Sequence, residues 1–394
     1  MVPVYDIVII GCGIGGLYSA YLYKKLYPHK SICIFEKTNY IGGRVKTKLF
    51  SGTKIVQGAG VGRLSKDKNL IQLLKDLKIP YQTHPMTIKY SLYNPTEIER
   101  IHVMVEKLKQ SIKTIKAPIS FKEYASLIIG PKDYDSFVNI IGYTDFENTD
   151  AFYTLKHYGL DDVYNNKSNS KIFLDWDILI GKLVEFIGKD NIHTNICIEK
   201  IDADKKEVFL SNLPKIKARD RIVIATPITS IRKLLQSGAY KSTYDIVEGQ
   251  PFMYVYAKLS HDSTLKEFVT SYSVIDPPLR KIIPFDLENN VFMIAYVDNE
   301  DAKGLLRKGN NKTYFENEIR KSYPNSIVKI EKIWRKYWKI GTHYFKPFYP
   351  TQSVKEMIYQ LQHPHRNVLV VGEAVSMHQG WVEGALQSAR SVIH

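Results

Sequence analysis

The chain has 394 residues, 44% of them hydrophobic and 24% charged, which is the composition of a globular protein with two or three domains. Its longest apolar runs fall far short of the roughly 20 residues that a membrane-spanning helix needs, and its first residues lack the pattern of a secretory signal. The net charge of +15 comes from lysines spread along the chain, which indicates an evenly basic surface; a nucleic-acid-binding face is the alternative interpretation.

The three cysteines lie in a glycine-rich turn (Cys12) and in two strand-like runs (Cys33 and Cys197). Their spacing predicts neither a disulfide framework nor a metal site. We therefore expect a cytoplasmic protein with no bound metal, no membrane anchor and no nucleic-acid partner. The sequence leaves the oligomeric state open.

Residues 5–35 predict a strand, a tight glycine turn, a helix and a second strand. Ile7–Ile10 is a continuous apolar run, typical of a parallel strand that is buried on both faces. The helix ends at Pro28, and Ile32–Phe35 forms the second strand.

The remaining elements mix helices and strands. The sequence pattern predicts, in chain order, a helix over residues 67–78, a helical stretch with a capping box at Ser120 and Glu123, a polar loop over 161–170, a helix over 176–187, strands over 196–201 and 221–224, alternating strands over 251–298, a strand over 368–371 and a last helix from about Val382.

Because sheet-type elements stand at both ends of the chain, we expect an α/β fold with one discontinuous domain and one inserted domain. The first is a Rossmann-type dinucleotide domain that comprises residues 1–80, 190–245 and 362–394. The second is an α+β substrate domain that comprises residues 81–189 and 246–361 and is helical over 95–189.

A glycine-rich turn follows the first predicted strand. Its glycines would let a pyrophosphate approach the backbone closely, at the positive end of the following helix. Glu36, at the end of the second strand, is placed to accept hydrogen bonds from a ribose. We therefore predict a dinucleotide site that uses Gly11, Gly13, Ile14, Gly16, Glu36 and Lys37. A purely structural glycine turn is the alternative.

Two further segments distinguish FAD from NAD. Shortly after the acidic residue comes Ile41-Gly42-Gly43-Arg44. Near the end of the chain a strand leads into Gly372-Glu373-Ala374, and a helix follows Gly380-Trp381-Val382-Glu383-Gly384-Ala385. These motifs resemble those of the flavin-containing amine oxidases, the family of the monoamine, polyamine and L-amino-acid oxidases. The resemblance extends over nearly the whole chain, and it is specific over residues 7–44, 58–63 and 367–390.

The resemblance implies that FAD is the cofactor. It implies noncovalent binding, because Thr342 stands where covalent members carry the cysteine that attaches the flavin. It also implies that Arg44 contacts the phosphates, that Ile198 meets the adenine and that the Val382 backbone faces the flavin ring. Beyond the glycine turn, the implied cofactor-binding residues are Gly43, Arg44, Gly60, Val61, Ile198, Gly372, Glu373, Trp381 and Val382.

On the substrate side the resemblance implies an aromatic sandwich that holds an unprotonated amine against the flavin. Its walls would be Trp381 and His343, with Tyr344 beside the latter; plain core packing is the alternative. Arg63 resembles the arginine that binds the substrate carboxylate in L-amino-acid oxidases. We favour a structural ion pair or a phosphate contact for this arginine.

Most members of the family carry a lysine near the flavin N5 atom. Here Tyr254 stands about where that lysine is expected. Lys258, on the same strand face, and Lys281 are candidates for the missing lysine, and an exposed, solvated lysine is the alternative for either.

We therefore predict an FAD-dependent oxidase that converts a C–N bond of a small amine or polyamine to an imine by hydride transfer to the flavin, with O2 reduced to H2O2. The alternatives are an L-amino-acid oxidase, an FAD desaturase of the carotenoid or protoporphyrinogen type, and a flavin-bearing module without turnover. Gly380 and Trp381 argue against the desaturase, whereas the missing lysine motivates the module. The favoured scheme requires no general base.

Overall fold

The computed structural model describes residues 2–85, 87–91, 93–158, 160, 170–235, 243–349 and 353–393. Except for Ser170, the polar loop predicted over 161–170 lies outside these residues. The strands are β1 (Val4–Ile10), β2 (Ile32–Phe35), β3 (Thr47–Phe50), β4 (Thr53–Val56), β5 (Gly62–Arg63), β6 (Gln82–Pro85), β7 (Ile88–Tyr90), β8 (Ser170–Phe173), β9 (Ile192–His193), β10 (Ile198–Asp202), β11 (Glu207–Leu210), β12 (Ile216–Ile224), β13 (Val247–Leu259), β14 (Tyr272–Val274), β15 (Lys281–Asp286), β16 (Val291–Asp298), β17 (Ile330–Phe345) and β18 (Val368–Val370).

The α-helices are α1 (Ile14–Leu26), α2 (Lys68–Asp76), α3 (Pro95–Gln110), α4 (Phe121–Ile129), α5 (Pro131–Ile141), α6 (Ala151–Tyr153), α7 (Trp176–Ile187), α8 (Ile228–Leu234), α9 (Leu265–Phe268), α10 (Asn299–Lys308), α11 (Lys312–Ser322), α12 (Val354–Gln362) and α13 (Val382–Val392). The helix α6 continues as a π-helical turn over Thr154–Tyr158. No helix of the described residues combines the length and the apolar character needed to cross a membrane.

The first sheet has the strand order β10-β11-β12-β1-β2-β9. Outside this order, β18 pairs with the end of β12, at Ile222–Ile224. The pairs β12–β1, β1–β2, β2–β9 and β12–β18 are parallel, whereas β10–β11 and β11–β12 are antiparallel. Successive residues of β1 supply opposite faces: Ile7 and Ile9 belong to one core, and Val8 and Ile10 to another. The prediction of a parallel strand buried on both faces is confirmed.

The first of these cores holds α1, α7 and α13 against the sheet. Leu179, Leu183 and Ile187 of α7 are buried in it, because they lie on one face of the helix and meet α1. The predicted boundaries placed residues 176–187 in the substrate half, and the packing differs from that division. The apolar spacing predicts that α7 buries a face, but it does not identify the partner of that face.

The second sheet has the order β17-β13-β16-β15-β14-β7. Met253, Val255 and Ala257 of β13 face a core that α10 and α11 cover. The alternate residues, Phe252 and Tyr254, face the other side, where they share a core with Phe50 and Ile55 of the β3–β4 hairpin. The alternation predicted for this segment is therefore confirmed, and it gives the sheet one aliphatic and one aromatic face.

A helical unit of α3, α4 and α5 packs around its own core beside the second sheet. The capping box predicted at Ser120 and Glu123 is present, since each side chain accepts a hydrogen bond from the other residue's backbone N–H. The segment that leaves α5, Gly142–Asp145, reaches the space between the two sheets.

Candidate active site

A cavity of about 1360 Å³ lies between the first sheet and the aromatic face of the second. Sites for drug-sized ligands measure roughly 300–1000 Å³, so this cavity has room for a dinucleotide and a further small molecule. Most of the residues predicted from the motifs meet in it: Gly11, Gly13, Ile14, Glu36, Lys37, Gly43, Arg44, Gly60, Val61, Ile198, His343, Gly372, Glu373, Trp381 and Val382.

Gly13 and Gly16, in and after the first turn, have different structural roles. A Cβ on Gly16 would lie 2.1 Å from the Gly11 carbonyl oxygen, so this glycine lets α1 pack closely on β1. Gly16 does not appear among the cavity-lining residues. A Cβ on Gly13 would meet nothing nearer than the Gly43 Cα, at 4.0 Å, and would point into the cavity that Gly13 lines. The open side of Gly13 therefore provides the close approach that a pyrophosphate needs.

The first turn of α1 also fits an anion. Gly13 is the N-cap, and no side chain caps the helix, so its first N–H groups are available to a ligand. At the end of β2, one Glu36 carboxylate oxygen accepts from the Cys12 N–H at 3.0 Å. The other accepts from the Thr38 N–H at 2.9 Å. The carboxylate is thus held rigidly at the edge of the cavity, where the sequence predicts a ribose.

The Arg44 guanidinium contacts two protein groups. Its Nη1 atom donates to the Gly341 carbonyl oxygen at 2.7 Å and lies 2.8 Å from Glu373 Oε1. Glu373 Oε2 accepts from the Gly380 N–H at 2.9 Å. This carboxylate therefore joins the Gly-Gly-Arg motif to both parts of the C-terminal motif, a role that the sequence did not reveal.

His343 completes the same buried network. Its Nδ1 atom lies 2.5 Å from Glu373 Oε1, and its Nε2 atom accepts from the Ile228 N–H at 3.1 Å. Burial alone would raise the pKa of Glu373, but His343 and then the Arg44 guanidinium hold it well below its usual range. The imidazole of the predicted aromatic wall lines the cavity, with both nitrogens committed to this network.

A side recess extends the cavity past Trp381; Arg63, Tyr344, Asp145 and His378 line it. The Arg63 guanidinium is 4% exposed and holds Asp67 Oδ1 through Nε at 2.9 Å and Nη2 at 2.7 Å. It also stacks on the Trp381 ring, 3.8 Å from the centroid. The geometry therefore favours the structural ion pair that we preferred for Arg63, and the arginine also fixes the orientation of Trp381.

The candidate lysines lie outside the cavity wall. Lys281 is fully buried, and its ammonium donates to the Gly142 and Tyr296 carbonyl oxygens beneath the Tyr143 ring. Lys258 donates to the Asn289 carbonyl oxygen instead. Tyr254 does line the cavity, and its hydroxyl donates to the Gly58 carbonyl oxygen at 3.0 Å.

Sequence reasoning missed most of the aromatic lining. Two of these rings, Tyr254 and Tyr296, stack with centroids 4.8 Å apart. The alternation in β13 could have indicated Phe252 and Tyr254, but the others come from separate elements that carry no local signal. The aromatic cavity residues absent from the predicted site are Phe35, Tyr40, Tyr143, Tyr158, Phe173, Phe252, Tyr254, Tyr272, Phe285, Tyr296 and Trp338.

The comparison with protein families agrees with this geometry. The model of the flavin-containing amine oxidoreductases matches residues 14–392. The chain belongs to this family. It is a flavin amine oxidoreductase with FAD as its cofactor and amine groups as its targets.

Solved structures resemble this flavin amine oxidoreductase in fold. Putrescine oxidase bound to putrescine aligns with a TM-score of 0.77 at 14% identity, over 99% of this chain and 98% of that one. Cyclohexylamine oxidase from Brevibacterium oxydans aligns with the same TM-score, identity and coverage. An uncharacterized protein of Acanthamoeba polyphaga mimivirus is 22% identical, over 98% of this chain and 93% of that protein.

We expect the FAD of this flavin amine oxidoreductase to be bound noncovalently. Thr342, at the position of the attaching cysteine, lines the cavity and offers no thiol. Burial raises the pKa of the Cys12 thiol to about 12 and makes it a poor nucleophile, and Cys197 lines the cavity next to Ile198, where the adenine and not the flavin ring is expected. Acid precipitation of the yellow protein should therefore release all of the flavin as intact FAD, measured by absorbance and mass spectrometry of the supernatant. Flavin that stays with the precipitated chain would contradict this expectation.

Proposed function

We propose that this protein oxidises a C–N bond of a small amine or polyamine to an imine and reduces O2 to H2O2. The observation that carries the proposal is the continuity of the aromatic cavity with the glycine turn and with the start of α13. Bound FAD supplies the two-electron oxidation of the carbon next to the nitrogen. The chain's own residues hold the reactants and exclude water.

The start of α13 supports one part of this proposal. Trp381 is the N-cap of α13 without a side-chain cap, and the Val382 backbone lines the cavity. The carboxylate of Glu383 points away and accepts from Asn69 and Leu70 at the start of α2. The positive end of α13 is thus left facing the cavity, where it would stabilise negative charge on a bound flavin.

The aromatic residues support the other part. Trp381 and Tyr344 lie on the side recess, and the wall of stacked tyrosines stands opposite the glycine turn. In our proposal these rings hold an uncharged amine by shape and π-electron contact and keep bulk water from the reacting carbon. The hydrolysis of the imine then takes place away from these rings.

L-amino-acid oxidation is the second candidate, and it needs a cation free to bind the substrate carboxylate. Arg63 is held by Asp67, which favours the amine. The physiological partners in our proposal are the small amine and O2. We further propose a cytoplasmic location, for which the three free cysteines are suited.

Peroxide release by the wild type and by Arg63→Ala, with tyramine and tyrosine as paired substrates, tests this function. We expect the wild type to oxidise the amine preferentially. The variant should lose activity on both substrates equally and bind less FAD, because removing Arg63 leaves Asp67 buried without its ion-pair partner, at a cost of about 3–5 kcal/mol in stability. All rates are normalised to bound flavin.

Arg63→Lys serves as the matched variant and should rescue poorly, since an ammonium cannot reproduce the two-pronged contact with Asp67. A loss confined to tyrosine would instead make Arg63 a carboxylate clamp and favour the amino acid oxidase. A wild-type holoenzyme that releases no peroxide with any amine would overturn the proposed function.

A further inference from the structure

Asp145 lines both the side recess and the main cavity, at the point where the two meet. Its carbonyl oxygen accepts from Gln250 Nε2 at 2.8 Å, and the same amide nitrogen donates to Thr342 Oγ1 at 3.1 Å. Tyr158 donates its hydroxyl to the Asp145 carboxylate. The Tyr158 hydroxyl therefore orients the carboxylate at this junction, whose lining also includes Trp381 and Thr342 and where the proposed amine would lie.

The charge of Asp145 has no ion-pair partner of its own in the described residues. The charged groups that act on it most strongly are Asp298 and Lys281. Asp298 accepts from the Thr144 N–H at 3.0 Å, and Lys281 donates to two carbonyl oxygens. Arg280 also acts on Asp298, but its own charge is balanced by Asp301. Asp145 and Asp298 then face the single ammonium of Lys281, which leaves an excess of one negative charge against an aromatic cavity.

An excess charge in such a place is costly unless a cation offsets it. Burial and then Asp298 raise the pKa of Asp145 to about 7. Tyr158 presents its hydroxyl to the carboxylate, and Tyr143, whose ring covers the Lys281 ammonium, lines the same cavity. A carboxylate on the wall of an aromatic cavity suits an alkylammonium group, because the carboxylate supplies the opposite charge and the rings supply apolar contact.

We propose that Asp145 binds the substrate as an ammonium ion and takes up its proton, and that it selects alkylammonium substrates over zwitterionic amino acids. The proton leaves the substrate nitrogen as an N–H bond breaks and forms an O–H bond on Asp145. Both partners are then uncharged, which a dry aromatic cavity favours, and the free amine is the form that the proposed oxidation uses. This inference rests on the proposed function.

Two unreactive probes test it on the FAD-loaded protein: tert-butylammonium and 2-methylalanine. Neither has a hydrogen on the carbon next to nitrogen, so neither can be oxidised, and they differ only in that a carboxylate replaces one methyl group. Binding is measured from the change in flavin absorbance, without turnover. We expect the wild type to bind tert-butylammonium more tightly than 2-methylalanine.

Asp145→Asn removes the charge and keeps the shape, and Tyr158 can still donate to the amide oxygen. The affinity for tert-butylammonium should fall by about 30-fold or more, the effect of losing one member of a buried charged pair. The affinity for 2-methylalanine should change little. Asp298→Asn is the matched control: it removes a charge from the same cluster, lies behind the wall, and should reduce tert-butylammonium binding much less.

Tyr158→Phe is a second variant in case Asp145→Asn loses its flavin. It removes only the hydroxyl that orients the carboxylate and should weaken tert-butylammonium binding severalfold. The inference would be overturned if Asp145→Asn and Tyr158→Phe bound tert-butylammonium as the wild type does. It would also be overturned if Asp145→Asn lost affinity equally for both probes, or if Asp298→Asn lost as much affinity for tert-butylammonium as Asp145→Asn.

Measuring the oxidation of amines distinguishes a failure of the role proposed for Asp145 from a failure of the proposed function. A wild type that oxidises amines while Asp145→Asn binds the probe normally refutes the role of Asp145 alone. A wild type that binds the probe through Asp145 but oxidises no amine refutes the proposed function alone.

Discussion

Gly13→Val is expected to give a folded protein that no longer binds FAD. The open side of Gly13 faces the cavity, with only the Gly43 Cα within 4.0 Å of an added Cβ. A valine side chain would occupy the space that the pyrophosphate needs while disturbing few protein contacts. We expect FAD affinity to fall by at least about 3 kcal/mol, the upper part of the range for overpacked contacts, or roughly 100-fold.

Gly16→Val is the matched control for this prediction. Its Cβ would lie 2.1 Å from the Gly11 carbonyl oxygen, where rigid backbone cannot yield cheaply. This variant should therefore fail to fold stably, whereas Gly13→Val should keep the circular dichroism spectrum and the thermal transition of the apoprotein. Flavin absorbance after gel filtration measures occupancy. Wild-type occupancy in Gly13→Val under dilution would refute the assigned pyrophosphate position.

Glu373→Ala should destabilise the protein by about 3–5 kcal/mol, because it leaves the Arg44 guanidinium with no buried carboxylate and removes the partner of His343 Nδ1. Denaturant unfolding with saturating FAD measures the change. Glu300→Ala is the control, since Glu300 is 81% exposed and pairs only with Lys303. Its removal should change stability by less than about 0.5 kcal/mol.

The effect of Glu373→Ala should depend on pH. The pKa of Glu373 in the folded protein lies below its ordinary value of 4.5, so the unfolded chain binds the proton more readily. The stabilisation is therefore present above pH 4.5 and is lost as the pH falls towards the folded-state pKa. The difference between wild type and variant should shrink in acid. A difference that stays constant down to the acid transition would show that Glu373 acts by packing alone.

The sequence predicts well the parts of the fold that depend on a pattern of neighbouring residues. The β1 run, the glycine turn and Glu36 are such signals, and they come together as expected. The packing of α7 against α1 could not be predicted from its sequence, because the apolar face of a helix fits any partner of matching shape. The aromatic wall needed the register of β13 against β16, which places Tyr254 opposite Tyr296, and register is set by the whole sheet.

Within the site, the sequence likewise does not predict contacts between residues that are far apart in the chain or that follow no motif. Arg44 was visible as a cation, but its partner Glu373 lies near the other end of the chain. The sequence allows several roles for Arg63, and its pairing with Asp67, across the turn between β5 and α2, favours the structural ion pair. Asp145 follows α5 with no motif around it, so only the folded chain shows that it reaches the cavity.

The pairing of β18 with β12 has a consequence for the order of events during synthesis. A ribosome delivers β1 and the glycine turn before β18 and α13. Until residues 368–392 have emerged, the nascent chain has neither Glu373 to hold Arg44 nor the helix end beside Trp381. Stable capture of the flavin therefore waits for α13, and the chain must remain unaggregated with an open, aromatic-lined cleft until that helix docks.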